Sequence, residues 1–114
     1  INRTARRYDY ATLPFAEVHQ LGATLPYLQS LGVARIEAHV TGLATRLAEG
    51  LAGQGYRLFT PPGNRASIVS FYFTRPAADI RAAFEREAID VTVRDDHVRA
   101  SVALFNNADV WEVT

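Results

Sequence analysis

Asp90–Asn107 reads DVTVRDDHVRASVALFNN, and its pattern decides how the rest of the chain folds. Two runs of β-branched and small residues, Asp90–Arg94 and Val98–Ala103, stand either side of Asp95-Asp96, which predicts two strands joined tightly. Side chains alternate along a strand, so Val98, Ala100 and Val102 share one face while Arg99 and Ser101 share the other. The segment therefore predicts a sheet with one apolar face to be covered and an arginine on the opposite side.

Working outward, Tyr56–Thr60 and Ser67–Thr74 (SIVSFYFT) are rich in β-branched and aromatic residues. They flank the turn-forming Pro61-Pro62-Gly63-Asn64, which predicts two more strands. Pro76 opens a helix running through Ile80, Phe84 and Ala88. The clearest helix lies earlier, where Ile36, Val40, Leu43, Leu47 and Leu51 form one stripe at spacings of three and four. Glu37, Thr41, Thr45 and Glu49 fall to its other side, and Gly53 and Gly55 supply the stop. Before it, Phe15, Val18, Leu21, Leu25 and Leu28 predict a first helix from Pro14 to about Leu31, ended by Gly32. Pro26 removes an interior hydrogen bond there, so a kinked helix or two short ones are expected. Residues 1–13 show no periodicity and read as an extended arm, with 14–114 as the domain proper. Asn106 or Asn107 is placed to cap a fourth helix. The expected fold class is α+β, a small mostly antiparallel sheet covered on one face by helices.

Composition sets limits on function. The 114 residues carry 12 basic and 12 acidic side chains, and every basic one is an arginine. A net charge of +0 argues against nucleic acid and anionic membranes as partners. No apolar run approaches the ~20 residues of a membrane span, and no signal peptide is visible, so the expected location is cytoplasmic. Cysteine and methionine are absent. That excludes disulfides and thiolate chemistry, and the Ile1 start reads as a processed or excised segment. Without lysine, no side chain can form a Schiff base.

Three histidines suggest no catalytic set. His19 and His39 follow apolar helix positions at helical spacing and read as packing residues. His97 follows two aspartates, but consecutive residues at a hairpin do not converge on a metal, so a turn role is expected. Arg99 is the odd residue, an arginine within a short apolar strand. Two readings stand: an edge strand with Arg99 reaching solvent or pairing with Asp95 or Asp96, or a guanidinium that receives a carboxylate or phosphate. Composition alone favours the first. Thr12 likewise reads either as a helix cap or as an anion contact.

Taken together, the motifs resemble a known family. Arg7-Tyr8-Asp9-Tyr10-Ala11-Thr12 resembles the R-F-E-x-G-T stretch of class V aminotransferase-like enzymes, with Ala11 in place of the usual glycine. Leu21-Gly22-Ala23 resembles their G-L-G-A-A-L helix, and Gly32–His39 the start of the next one. Ile89–Arg94 followed by Val98–Asn107 is similar to their closing V-R-x-S-x-x-x-Y-N-T signature, with Asn107 where threonine is common. The resemblance covers nearly the whole chain. It implies the C-terminal small domain of a fold-type-I pyridoxal-phosphate enzyme, of the kind that includes cysteine desulfurases and isopenicillin epimerases. In such enzymes an upstream large domain carries the cofactor lysine.

On that resemblance Arg99 takes the position that clamps the α-carboxylate of an amino-acid substrate, which reverses the preference above. Arg94 matches a second arginine before the signature strand. Thr12 matches the residue that reaches the cofactor phosphate of the neighbouring subunit in a homodimer. The missing cysteine disfavours thiol-based desulfuration and points toward aminotransferase-, epimerase- or lyase-like chemistry. Neither a catalytic residue nor a metal ligand is expected within this chain, which should be inert alone. The competing expectation is a free-standing α+β binding or dimerisation module that performs no chemistry.

Overall fold

A computed structural model describes residues 3–4 and 12–108. The chain divides into two compact units, residues 1–35 and 36–114. In the first, α1 spans Phe15–Leu31 with Pro26 inside it. The helix is continuous, so of the two expectations for Pro26 the break into two short helices does not occur. Pro26 leaves the Gly22 carbonyl without its helical donor, but both residues are exposed, so water can satisfy that oxygen. Gly32 ends the helix at φ 89°, its N–H reaching the Leu28 and Gln29 carbonyls at 3.2 and 3.1 Å. That left-handed conformation is one a side chain would resist. No residue of α1 is buried.

α2 follows as Val33–Gly53. Its apolar stripe is the face turned inward: Leu43 and Ala44 are buried, and Ile36, Val40, Leu47 and Leu51 are half-buried. Of the residues expected on the other side, Glu37, Thr45 and Glu49 are exposed, whereas Thr41 is half-buried. Leu43 and Ala44 join Val69 and Val102 of the sheet in one core cluster, with Val40, Leu47, Ala48, Leu51 and Leu58 packed around it.

The sheet has three strands, β1 (Ile68–Tyr72), β2 (Thr92–Val93) and β3 (His97–Ser101), in the order β1-β3-β2 and antiparallel throughout. This is an α+β fold with a small antiparallel sheet. The strands are shorter than the sequence suggested. Asp90–Arg94 contributes only Thr92–Val93, and Tyr56–Thr60 contributes a single bridge, Leu58 opposite Phe71. Val98–Ala103 begins one residue earlier and ends two earlier, at His97 and Ser101. Asn64 stitches the turn before β1, donating to the Ala66 and Ile68 carbonyls and accepting from the Ala66 N–H. α3 (Ala77–Arg86) connects β1 to β2, and Ala88 just beyond it takes a φ of 54°.

α2 and α3 lie on the same side of the sheet. Leu47 and Leu51, Ile80 and Phe84, and the strand residues Phe71 and Ala100 together line a gap of about 380 Å³ between them. The alternation read from the sequence therefore holds: Val98, Ala100 and Val102 are buried, and Arg99 and Ser101 are exposed. The arm residues Arg7–Ala11 and the fourth helix expected after Asn107 lie outside the described residues.

Leu43 is the helix residue committed most fully to the core. Leu43→Ala is expected to lower unfolding stability by about 3 kcal/mol, a lost transfer term plus a residual cavity. Denaturant titration of the purified protein checks this, and a loss under about 1 kcal/mol would mean that α2 does not pack on the sheet as described.

Candidate functional site

The face of the sheet away from α2 and α3 is built by register. β3 is the central strand, so each outward residue on it has a neighbour on both sides. Arg99 lies between Ser70 of β1 and Thr92 of β2. One step toward the hairpin, His97 lies opposite Tyr72 on β1. On its other side the Arg94 N–H donates to the His97 carbonyl at 2.9 Å, which extends the β2–β3 register to the pair Arg94–His97.

The 57–60 segment adds a fourth row along β1. Its backbone is tied there by the Phe59 N–H to the Ser70 carbonyl at 2.8 Å and the Tyr72 N–H to the Arg57 carbonyl at 2.9 Å. Leu58 faces inward opposite Phe71, so its neighbours Arg57 and Phe59 emerge on the outer face. There the Arg57 guanidinium sits 3.5 Å from the centre of the Tyr72 ring. Phe59 stacks on His97 with centroids 4.8 Å apart and planes 15° from parallel, and it also meets Tyr72 at 5.5 Å. A cation over an exposed ring contributes about 0.5–1 kcal/mol and each aromatic pair a similar amount. The row Arg57–Tyr72–Phe59–His97 is thus a joined platform.

His97 is also fixed from the hairpin side. Its Nδ1 lies 2.7 Å from Asp96 Oδ1. A carboxylate only accepts, so Nδ1 carries the hydrogen. The turn role expected for His97 gives way to a strand position with a stacked and tethered ring, because Phe59 emerges beside it. No group of three potential metal-binding side chains exists among the described residues.

Arg99 and Arg94 share this face, and both are exposed. Neither guanidinium has an ion pair or hydrogen bond among the described residues, and Asp95 and Asp96 pair with neither. Arg99 stands on the central strand and not on an edge, while its side chain reaches solvent as the edge-strand reading expected. The carboxylate-pairing variant of that reading is overturned, because Asp96 is occupied by His97.

Thr12 belongs to the first unit, exposed and without a hydrogen bond among the described residues. It does not cap α1, which begins after Pro14 with no side-chain cap. His19 and His39 are exposed and not packing residues: α1 buries none of its residues, and His39 lies off the buried stripe of α2. His39 instead donates from Nε2 to the Asn106 carbonyl at 2.8 Å, while Asn106 Oδ1 accepts the Ala103 N–H at 2.7 Å. Asn106 so ties the exit of β3 to α2.

The aromatic platform is the part of the site that sequence reasoning missed. Its signal was present: in Arg57-Leu58-Phe59 strict alternation places the arginine and the aromatic together, opposite the leucine.

The result is an α+β domain with one sheet face covered by α2 and α3 and two arginines, unpaired among the described residues, on the other. The model of the class-V aminotransferase family matches residues 1–109, and the chain belongs to that family. Searches of the curated proteins and of the solved structures return no match. Members of this family generally depend on pyridoxal phosphate. No helix among the described residues is long and apolar enough to cross a membrane.

Because Arg99 has no partner to lose and no burial to forfeit, Arg99→Ala is expected to change unfolding stability by no more than about 0.5 kcal/mol. Thermal or denaturant melts of the two proteins check this. A loss above about 1 kcal/mol would identify Arg99 as a structural residue.

Proposed function

We propose that this chain is the C-terminal small domain of a pyridoxal-phosphate-dependent class-V enzyme and that Arg99 receives the α-carboxylate of an amino-acid substrate. The observation that carries this reading is an exposed guanidinium, unpaired among the described residues, on the central strand and on the sheet face away from α2 and α3. A planar fork held on a central strand presents two parallel N–H donors, the match for a carboxylate. Backbone hydrogen bonds on both sides fix the strand, so binding does not have to order the backbone beneath the arginine. Arg94, one hairpin step away, is the second substrate-binding arginine.

The residues of this chain do not fit as the cofactor's holder. None of the 114 is a lysine. Thr12, the one residue offered for the phosphate, is without a hydrogen bond, and its neighbours Arg7–Ala11 lie outside the described residues. The role assigned here is therefore substrate binding and orientation, with the lysine and the chemistry on an upstream large domain. Thr12 then serves the cofactor phosphate across a homodimer, and the protein acts in the cytoplasm.

α1 supports that division of labour. Phe15, Val18, Leu21 and Leu25 repeat at helical spacing, yet all are exposed. An apolar stripe of this kind is what a helix presents to a further domain or subunit. The same stripe disfavours a free-standing non-catalytic module.

Two measurements test the proposal. In the intact protein Arg99→Ala should raise KM for amino-acid substrates by about tenfold or more, the cost of a lost charge-assisted bond, with a smaller change in kcat. Unchanged kinetics would overturn the assignment. Titrating pyridoxal phosphate into the 114-residue chain with its α-amino group blocked should give no imine absorption, and an imine band would contradict the division of roles.

A further inference from the structure

The outer face carries more positive charge than one α-carboxylate requires, and the excess is concentrated beside Arg99. Arg94 and His97 face each other across the hairpin. Directly opposed residues place their Cβ atoms about 4.5–5.5 Å apart. Arg99 follows His97 by two residues, about 6–7 Å further along the strand and on the same face. We propose that Arg94 and His97 form a second anion subsite next to Arg99, so that the protein selects amino acids with an acidic side chain. This rests on the reading of Arg99 given above and names the substrate class for that same site.

Of the two members of the subsite, His97 is held in place and Arg94 is not. The His97 ring is stacked on Phe59 and tethered through Nδ1 to Asp96, leaving Nε2 as the one ring nitrogen without a partner among the described residues. The side chain keeps 24% exposure, enough for a ligand atom to reach it. Arg94 is exposed beside it and unpaired. Asp96 is engaged with His97 Nδ1 and offsets the charge of that ring, and Arg57 lies over the Tyr72 ring. Asp95 at the hairpin tip is exposed and pairs with neither arginine. The two guanidiniums, unpaired among the described residues, are matched by a ligand with two negative groups. Glutarate fits the spacing, since its five-carbon chain separates the carboxyl carbons by about 5 Å.

With Nδ1–H committed to Asp96, the ring meets a carboxylate only at Nε2, through the Nε2–H that the imidazolium carries.

The test is direct binding of unreactive acids to the intact protein by calorimetry, comparing glutarate with butyrate, which lacks the second carboxylate. Glutarate should bind about tenfold or more tightly, a difference of about 1.4 kcal/mol. Arg94→Gln and His97→Gln should each bring glutarate down toward butyrate and leave butyrate unchanged. Equal affinity for the two acids, or equal weakening of both in the Arg94 and His97 variants, would overturn the second subsite. Arg99→Gln should weaken both acids together. If it weakens neither, the assignment of Arg99 fails, whatever the glutarate preference shows. Arg94→Gln touches only an exposed side chain, so the test stands even if loss of the His97 stack disturbs folding.

Discussion

Everything on this molecule's working face depends on one constraint: β3 is the central strand and has only two sides. Val98, almost wholly sealed, anchors the inward side with Ala100, and Val102 just past the strand continues it. A slip of one residue in pairing would send Arg99 into that apolar layer and Val98 to water. Burying an unpaired guanidinium costs several kcal/mol, and exposing three small apolar side chains adds to it. The core therefore fixes where the arginine points. The site needs no dedicated scaffold because the packing of the opposite face supplies it.

The same strand connects the two arginines and the histidine. Its hairpin with β2 is short, and its pairing with β1 brings Tyr72 alongside His97. Phe59 then closes over the imidazole from the 57–60 segment, which shares only one bridge with the sheet but is held to it by backbone hydrogen bonds. A ring clamped between an aromatic face and a carboxylate loses most of its rotational freedom before a ligand arrives. Ligand binding is then spared that ordering cost, about 0.5–1.5 kcal/mol for a free side chain. The two arginines lack such restraint. They gain from the ligand's charge instead.

Much of this was legible in the sequence because it rests on periodicity. The stripe Ile36–Leu51 named the inner face of α2, and the alternation Val98–Val102 separated core from site without reference to any partner. What was not legible depends on pairing between distant segments. Whether Arg99 lay on an edge or a central strand turned on β1 returning beside β3 rather than beside β2, and no local pattern states strand order. The lengths of the strands were overread for a related reason. Asp90 and Val91 have strand-like neighbours but no partner to pair with, and unpaired β-branched residues do not make a ladder. His39 was misread because three residues after Ile36 is a position that helical geometry leaves at the margin of the buried stripe. Its true partner, the Asn106 carbonyl, is 67 residues away. α1 stays a single helix through Pro26 because an exposed carbonyl tolerates a missing donor far better than a buried one.

The contrast between α1 and α2 bears on what the domain is for. Both helices carry apolar residues at spacings of three and four, but α2 buries its stripe on the sheet and α1 buries none of its residues. Propensity cannot account for α1, since isolated helices of 17 residues are marginal in water and an interior proline weakens one further. Five of its large apolar side chains, Phe15, Val18, Leu21, Leu25 and Tyr27, are exposed, the pattern of a helix that offers an apolar surface to a partner. The sheet's outer face is instead charged and aromatic, with Arg94, Arg99 and the rings of Phe59, Tyr72 and His97. Each feature by itself supports the proposed role of the chain as a substrate-binding part of a larger enzyme.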